Sequence, residues 1–416
     1  MLILYQAVVS LLLLISPFII IYRILKKKED TLRFKEKFCL FTKKRVEGKL
    51  IWFHGASVGE IMSIIPLIRI YEKNKSIDQI LVTSSTLSSS KIMGKFNFKK
   101  TVHQFYPIDH SYFTSKFLNY WKPNLAIFIE SEIWPSMFRN LKINDTKLLL
   151  LNARLTKQTF KRWMKLKGVS KKIFGEISIA YPQNQETKRF IKKISNTKIK
   201  SLGNLKFIED DEKNIKKSQK KLISYFKNRN VWVASSTHQY EEIFCAKTHI
   251  ELKKKYKNLL TIIIPRHIHR SNKIVSEIQK LNLNVVKHSS KIKSLKKVDI
   301  YIVDTFGETK KFHKLSSTVF LGGSIINRGG QNPLEAARYG AKIIHGKNID
   351  NFKDIYKLLK KLKISKKIST PKQLASMIAF KKNKNIGVKI KNIGEKILKK
   401  TIKELNYQIN NEFKKT

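Results

Sequence analysis

The sequence of 416 residues holds only two cysteines, Cys39 and Cys245. Their spacing fits neither a disulfide framework nor a zinc site, so reduced, cytoplasmic-type chemistry is expected. Acidic residues are scarce: 30 against 85 basic ones, a formal net charge of +55. That charge suggests nucleic acid. Arginine is scarce too, however, at 13 of the 85 basic residues, and lysine is spread along the whole chain. A non-catalytic RNA- or lipid-binding protein would need aromatic stacking platforms or a concentrated arginine patch, and neither is visible. The reading is therefore no nucleic acid partner, and a solvated lysine surface attracted to anionic membrane lipids. Each basic residue close to such a surface contributes about 1 kcal/mol. No His/Asp/Cys cluster has ligand spacing and no D-x-D follows a strand in the first half, so no metal site is expected.

Charge is missing altogether from residues 1–22, which are mostly apolar. At about 1.5 Å per helical residue this run could cross a bilayer core of about 30 Å. Pro17 could kink it. Arg23, Lys26, Lys27 and Lys28 follow the run, whereas a cleaved signal peptide carries its charges first. Residues 1–25 are expected to be an uncleaved, single-pass anchor, with the rest of the chain on the cytoplasmic side. A helix lying in the membrane surface is the rival reading.

Short apolar runs recur with helical patterns between them. They are Leu50–Phe53, Ile80–Thr83, Leu125–Ile129 and Leu148–Leu151, then Val231–Ala234, Leu259–Ile264, Asp299–Val303 and Thr318–Leu321. Continuous apolar runs fit parallel strands buried on both faces. The fold class expected is α/β, with two Rossmann-like domains facing a cleft and an N-terminal membrane-anchor helix. The polar stretch near Lys206–Lys220 marks the boundary. The expected division is 1–25 anchor, 26–207 acceptor domain, 208–388 donor domain and 389–416 basic helix.

The first of these strands runs into K-L-I-W-F-H-G-A-S-V-G-E, Lys49–Glu60. It reads as a strand, a glycine turn and the first turn of a helix. Glycine allows the sharp turn and close approach of a ligand. Glu60 sits over unpaired helix N–H groups, which favour its ionised form, so it is expected to be charged near neutral pH. Polar clusters also follow six of the seven other strands: Glu130–Pro135, Asn152 and Arg154, Ser235–His238, Pro265–His267, Asp304–Glu308 and Gly322–Glu335. In open α/β sheets ligands bind beyond the carboxyl ends of strands.

H-G-A-S-V-G-E, E-S-E-I-W-P, N-A-R-L, G-N-L-K-F, S-T-H, P-R-H, D-T-F-G-E and G-G-S…G-G-Q-N-P-L-E occur in that order. Together they resemble the 3-deoxy-D-manno-octulosonic acid (Kdo) transferases of Gram-negative bacteria. The resemblance runs from about Ile51 to Phe352. It implies a two-domain glycosyltransferase of the B type that moves Kdo from CMP-Kdo to the lipid A precursor (lipid IVA), inverting the anomeric centre, with no metal and no cofactor. It places the enzyme at the inner membrane.

The resemblance also implies roles. Glu60 matches the catalytic base, with Gly59 beside it, and Glu130 and Glu132 match an acidic pair at the cleft. Arg154, Ser236, Thr237 and His238 fall among the substrate-binding positions. Arg266 and Lys206 match positions that would neutralise the CMP phosphate or the Kdo carboxylate. Glu335 matches the acceptor of the ribose hydroxyls. Asn332 and the glycines before it, Gly323 included, would open a helix whose N–H groups face the phosphate. Pro265, His267, Gly307 and Glu308 would line the nucleotide pocket. Several positions depart from the pattern: Gln331 stands in place of the usual histidine, Ile268 and His269 in place of proline and glutamate, and Ser131 in place of threonine. The alternative is another membrane-associated B-type glycosyltransferase, using a UDP-sugar on a lipid-linked acceptor. The residues around Glu60 and the P-R-H motif distinguish the two.

Overall fold

A computed structural model of the chain describes residues 2–208, 226, 229–290 and 296–415. The chain forms two units, Met1–Asp210 with Gly394–Thr416, and Asp211–Ile393. Most of the stretch expected to separate them, from residue 209 onward, lies outside the described residues.

The first unit holds β1 (Leu50–His54), β2 (Gln79–Ser84), β3 (Thr101–Phe105), β4 (Leu125–Ile129), β5 (Lys147–Ala153), β6 (Ile179–Pro182) and β7 (Lys198–Ile199). They form one sheet in the order β3-β2-β1-β4-β5-β6-β7, with every pair parallel. Its helices are α1 (Leu2–Leu25), α2 (Val58–Tyr71), α3 (Leu87–Met93), α4 (Ser111–Trp121), α5 (Pro135–Ile143), α6 (Lys157–Lys165), α7 (Lys167–Gly175) and α8 (Gln185–Ile194). Every residue of β1, β2 and β4 is buried. Trp52, Phe117, Trp121, Phe128 and Phe138 fill one core cluster of the unit. Parallel strands covered by helices on both faces need such uninterrupted apolar runs.

The second unit holds β8 (Asn230–Thr237), β9 (Leu259–Pro265), β10 (Val285–Lys287), β11 (Ile300–Ile302), β12 (Thr318–Leu321), β13 (Lys342–His345) and β14 (Ser365–Lys367). Their order is β10-β11-β9-β8-β12-β13-β14, again all parallel. Its helices include α9 (Glu241–Lys253), α10 (Ser271–Gln279), α11 (Thr309–Leu315), α12 (Leu334–Ala337), α13 (Lys353–Lys361) and α14 (Pro371–Met377). Two parallel α/β sheets of this kind are the fold expected from the sequence.

The last helix, α15 (Lys384–Phe413), starts before the expected residue 389. Gly387 lies inside it, where a Cβ would stand 2.7 Å from Arg338 O, so the glycine serves close packing and does not begin the helix. From Gly394 onward α15 belongs to the first unit. There Glu404 accepts from Tyr181 Oη at 2.8 Å and pairs with Lys200 at 2.7 Å, and Glu412 pairs with Lys147 at 3.0 Å.

Candidate active site

Because all strands are parallel, the loops after them gather along one edge of each sheet, and the residues picked out from the sequence occupy those loops. In the first unit, Ser57 caps α2 and Glu60 closes a capping box. Glu60 N–H donates to Ser57 Oγ at 3.3 Å, while Glu60 Oε2 accepts from Ala56 N–H at 2.7 Å and Ser57 N–H at 3.1 Å. Gly55 packs closely here: a Cβ would stand 3.1 Å from Glu60 Cβ. Backbone therefore fixes one carboxylate oxygen of Glu60. The other accepts no hydrogen bond among the described residues. Gly59 is exposed beside it.

The charge state of Glu60 differs from the expectation. Burial raises its pKa, Glu132 raises it further, and Glu130 adds to this; the Ser57 and Ala56 N–H groups oppose them, and the outcome is about 7. The helix terminus does favour the anion, but burial and two neighbouring carboxylates outweigh it. Glu60 is poised to exchange a proton at neutral pH.

Glu132 is held by two N–H donors. Trp134 Nε1 donates to its Oε2 at 3.0 Å, and His54 Nε2 lies 3.3 Å from the same atom. His54 is fully buried at the end of β1, and burial lowers its pKa, so the ring is neutral. Thr83 Oγ1 accepts from Trp52 Nε1 at 2.9 Å and lies 2.9 Å from His54 Nδ1. The Glu132 carboxylate only accepts, so the imidazole proton sits on Nε2 facing it, and the Thr83 hydroxyl donates to Nδ1.

Glu130 ends β4 in the left-handed region, φ 56°. Its carboxylate meets Lys206 Nζ at 2.7 Å. Asn152, also left-handed at φ 55°, accepts from Leu205 N–H at 3.1 Å and so seats the short turn that carries Lys206. Lys206 was expected beside a substrate anion; its side chain, 16% exposed, pairs with Glu130 in the first unit. Arg154 is half-buried beyond β5, with no ion pair among the described residues; its N–H donates to Glu130 O at 3.1 Å. Non-glycine residues at positive φ cost about 1–3 kcal/mol each and persist where the surroundings hold them.

In the second unit, Ser236 repeats this feature at φ 55°, at an irregularity in the pairing of β8 with β9. Glu241, fully buried at the start of α9, ties the strand ends together. Its two oxygens accept from the N–H groups of His238, Gly323, Ser324 and Ile325 at 2.7–3.1 Å. Burial pushes its pKa up and these four N–H groups oppose that. A Cβ on Gly322 would overlap Ser236 O and Thr237 Cα, so only glycine lets this loop close on β8. Arg266 N–H donates to Thr237 O at 2.9 Å. Ser236, Thr237, His238, Pro265, Arg266, His267 and Gly323 thus share one loop cluster, within which Thr237, Pro265 and Gly323 are buried framework.

The cluster is electropositive. His238 is lowered to about 4 by burial, then by His267, Arg328, Arg266 and Arg270. Arg270 is paired with Glu242 at 3.0 Å, but Arg266 and Arg328 are exposed and have no ion pair among the described residues. His238 Nε2 likewise finds no hydrogen-bond partner among them. Gly307, at φ 86°, and Glu308 follow β11, one strand beyond β9, where Glu308 pairs with Lys311. The helix expected after Asn332 is a single turn, α12, whose Leu334 N–H is taken by Asn332 Oδ1 at 3.1 Å. So short a helix offers little dipole, and one of its N–H groups is already used. Glu335 is half-buried on that turn. Among the described residues no group of three or more His, Cys, Asp or Glu is placed to hold a metal ion.

The family described as 3-deoxy-D-manno-octulosonic-acid transferase (kdotransferase) matches residues 32–209. The 3-deoxy-D-manno-octulosonic acid transferase of Rickettsia bellii (strain RML369-C) is 35% identical over 405 residues, 97% of this chain and 96% of that one. The chain belongs to the Kdo transferase family. The Haemophilus influenzae (strain ATCC 51907 / DSM 11121 / KW20 / Rd) Kdo transferase is 29% identical over 74% of this chain and 73% of its own. A glycosyltransferase crystal structure from Rickettsia africae ESF-5 shares the fold, with a TM-score of 0.56 at 11% identity, covering 88% of this chain and 99% of that one.

The sequence reading missed His54, Thr83 and Trp134 as the setting of Glu132, and Glu241, Glu242, Arg270 and Arg328 around the second cluster. One signal was available. Glu241 and Glu242 directly follow S-T-H-Q-Y, as acids in a first helical turn.

Proposed function

We propose that the protein is an inverting glycosyltransferase that transfers Kdo from CMP-Kdo to the lipid A precursor, lipid IVA, in lipopolysaccharide core biosynthesis. It works without metal, attached to the inner membrane with both units on the cytoplasmic side. The observation that carries the reading is Glu60: one oxygen fixed by two backbone N–H groups, the other free, and a pKa raised to about 7. A general base works best with a pKa near the operating pH.

The acceptor hydroxyl gives its proton to the free oxygen of Glu60. Its own oxygen bonds to the anomeric carbon of Kdo as the bond from that carbon to the phosphate oxygen breaks, and CMP departs with the electron pair. The second unit carries the donor. Arg266 and Arg328 supply charge for the phosphate, arginine being suited to such planar or multidentate anions. Neutral His238 and its neighbour His267 flank them, and Glu335 takes the ribose hydroxyls. Pro265, Gly307, Glu308, Gly323 and Asn332 complete the nucleotide pocket. Glu130, Glu132, Arg154 and Lys206 shape the acceptor side, and Ser236 and Thr237 the sugar side.

The test is to incubate the protein with CMP-Kdo and tetra-acylated lipid A precursor and to read the mass of the lipid. Mass increments of whole Kdo residues, retained in EDTA, are expected. No transfer from CMP-Kdo, but transfer from a UDP-sugar, would point to another membrane-associated B-type glycosyltransferase.

A further inference from the structure

Helix α1 is long and apolar enough to cross a membrane. Its two ends, however, are tied to residues of the first unit. Near its start, Tyr5 Oη donates to Asp109 Oδ2 at 2.7 Å, Gln6 Nε2 donates to Ser136 Oγ at 2.5 Å, and Ser111 N–H donates to Gln6 Oε1 at 3.1 Å. Ser10 Oγ lies 3.2 Å from His110 Nε2. Near its end, Arg23 pairs with Glu29 at 2.9 Å, and Glu29 is buried and also held by Lys37. Between these ties, residues 6, 9, 13, 16, 20 and 23 are all partly covered. Their spacing of three and four marks a single helical face.

The opposite face is bare: Leu4, Leu11, Leu14, Phe18 and Leu25 are each 62–75% exposed. Tyr5 and Arg23 are about 27 Å apart along the axis, close to the thickness of the hydrocarbon core. A helix crossing the bilayer would carry Tyr5 to the far leaflet, out of reach of Asp109. We propose that α1 lies flat in the membrane interface, docked on the first unit by one face and sunk into the lipid by the other. Lys26–Lys28 at its end favour an anionic lipid surface, and the bare outer face offers apolar area to bury in lipid. Of the two readings the sequence left open, this takes the helix lying in the membrane surface over the single-pass span.

The docking has a second consequence. Asp109, which receives Tyr5, also accepts from Ser136 N–H at 3.0 Å and Met137 N–H at 2.9 Å, and so caps α5 directly after the Glu130–Trp134 loop. The membrane-lying helix thereby fixes that loop at the lipid surface. Use of this arrangement by a lipid acceptor rests on the function proposed above; the seating of the helix does not.

The full-length protein in phosphatidylethanolamine–phosphatidylglycerol vesicles tests this with two readouts, neither of which measures transfer. Ser10→Cys with His110→Cys should cross-link under mild oxidation while vesicles are bound. Labels at positions 4, 11, 18 and 25, placed singly, should be quenched by lipid-borne probes at one shallow depth, equal within about twofold. A depth profile that is deepest at 11 and 18, with the cross-link lost in vesicles, would overturn the proposal in favour of a span. A cross-link without lipid quenching at any of the four positions would overturn it as well. Failure of Kdo transfer alone would leave it standing.

Discussion

His54 Nε2 lies 3.3 Å from Glu132 Oε2, joining the ends of two neighbouring parallel strands, β1 and β4. The neutral imidazole donates to the carboxylate and Trp134 Nε1 donates to the same oxygen, so Glu132 has its charge supported without being neutralised. That charge is the larger of the two carboxylate influences on Glu60. Glu132→Gln keeps a hydrogen-bond acceptor for both donors and removes the charge. The acid limb of the pH–kcat/KM profile, set by Glu60 near 7, should move to lower pH in this variant. An unmoved limb between pH 5 and 9 would detach Glu132 from the titration of Glu60.

The same pKa has a consequence for stability. A carboxylic acid with a raised folded pKa binds its proton more tightly folded than unfolded. Its favourable contribution is therefore complete below the ordinary carboxylate range and is lost as pH rises toward about 7. Glu60→Gln should be more stable than the parent at pH 8, and the difference should vanish near pH 4. Urea unfolding at the two pH values checks this.

Lys206 and Glu130 form a largely buried pair in the first unit. Removing one partner of such a pair strands the other charge and typically costs about 3–5 kcal/mol. Lys206→Met should lower stability by an amount in that range in urea unfolding. It should also push the acid limb upward, because Glu130 would then act on Glu60 uncompensated. CMP affinity, read by calorimetric titration, should change little.

The donor assignment makes the opposite prediction. Arg266 is exposed and has no ion pair among the described residues, so Arg266→Ala should leave stability within about 0.5 kcal/mol. CMP binding should weaken by about 2 kcal/mol, some thirtyfold, as a charge-assisted contact is lost. An unchanged CMP titration would remove Arg266 from the donor site.

Much of this architecture could be read from the sequence, because buried parallel strands must be apolar throughout. Leu50–Phe53, Leu125–Ile129 and Leu259–Ile264 carry that signature, and each is a strand. The strands that escaped the reading are short, mixed or at the sheet edges. Thr101–Phe105 contains His103 and Gln104, and Lys198–Ile199 and Ser365–Lys367 are edge strands whose lysines reach water. The candidate site was visible as polar residues after strands, but its electrostatics were not. The pKa of Glu60 depends on how closely residues 70 and more positions apart are packed, and no local pattern encodes that. The left-handed backbones of Glu130, Asn152 and Ser236 were equally hidden, since none is glycine.

The central claim is that Glu60 takes the acceptor's proton, and one substitution addresses it most directly. Glu60→Gln keeps the side chain's shape and its acceptor for the Ala56 and Ser57 N–H groups, but no longer takes up a proton at neutral pH. General-base catalysis contributes typically about 10²–10⁴-fold. Single-turnover transfer from CMP-Kdo to the tetra-acylated lipid A precursor at pH 7.5 should therefore slow by at least about a hundredfold in Glu60→Gln, with CMP affinity unchanged. A rate within a few-fold of the parent would contradict the account and pass the role of base to Glu130 or Glu132.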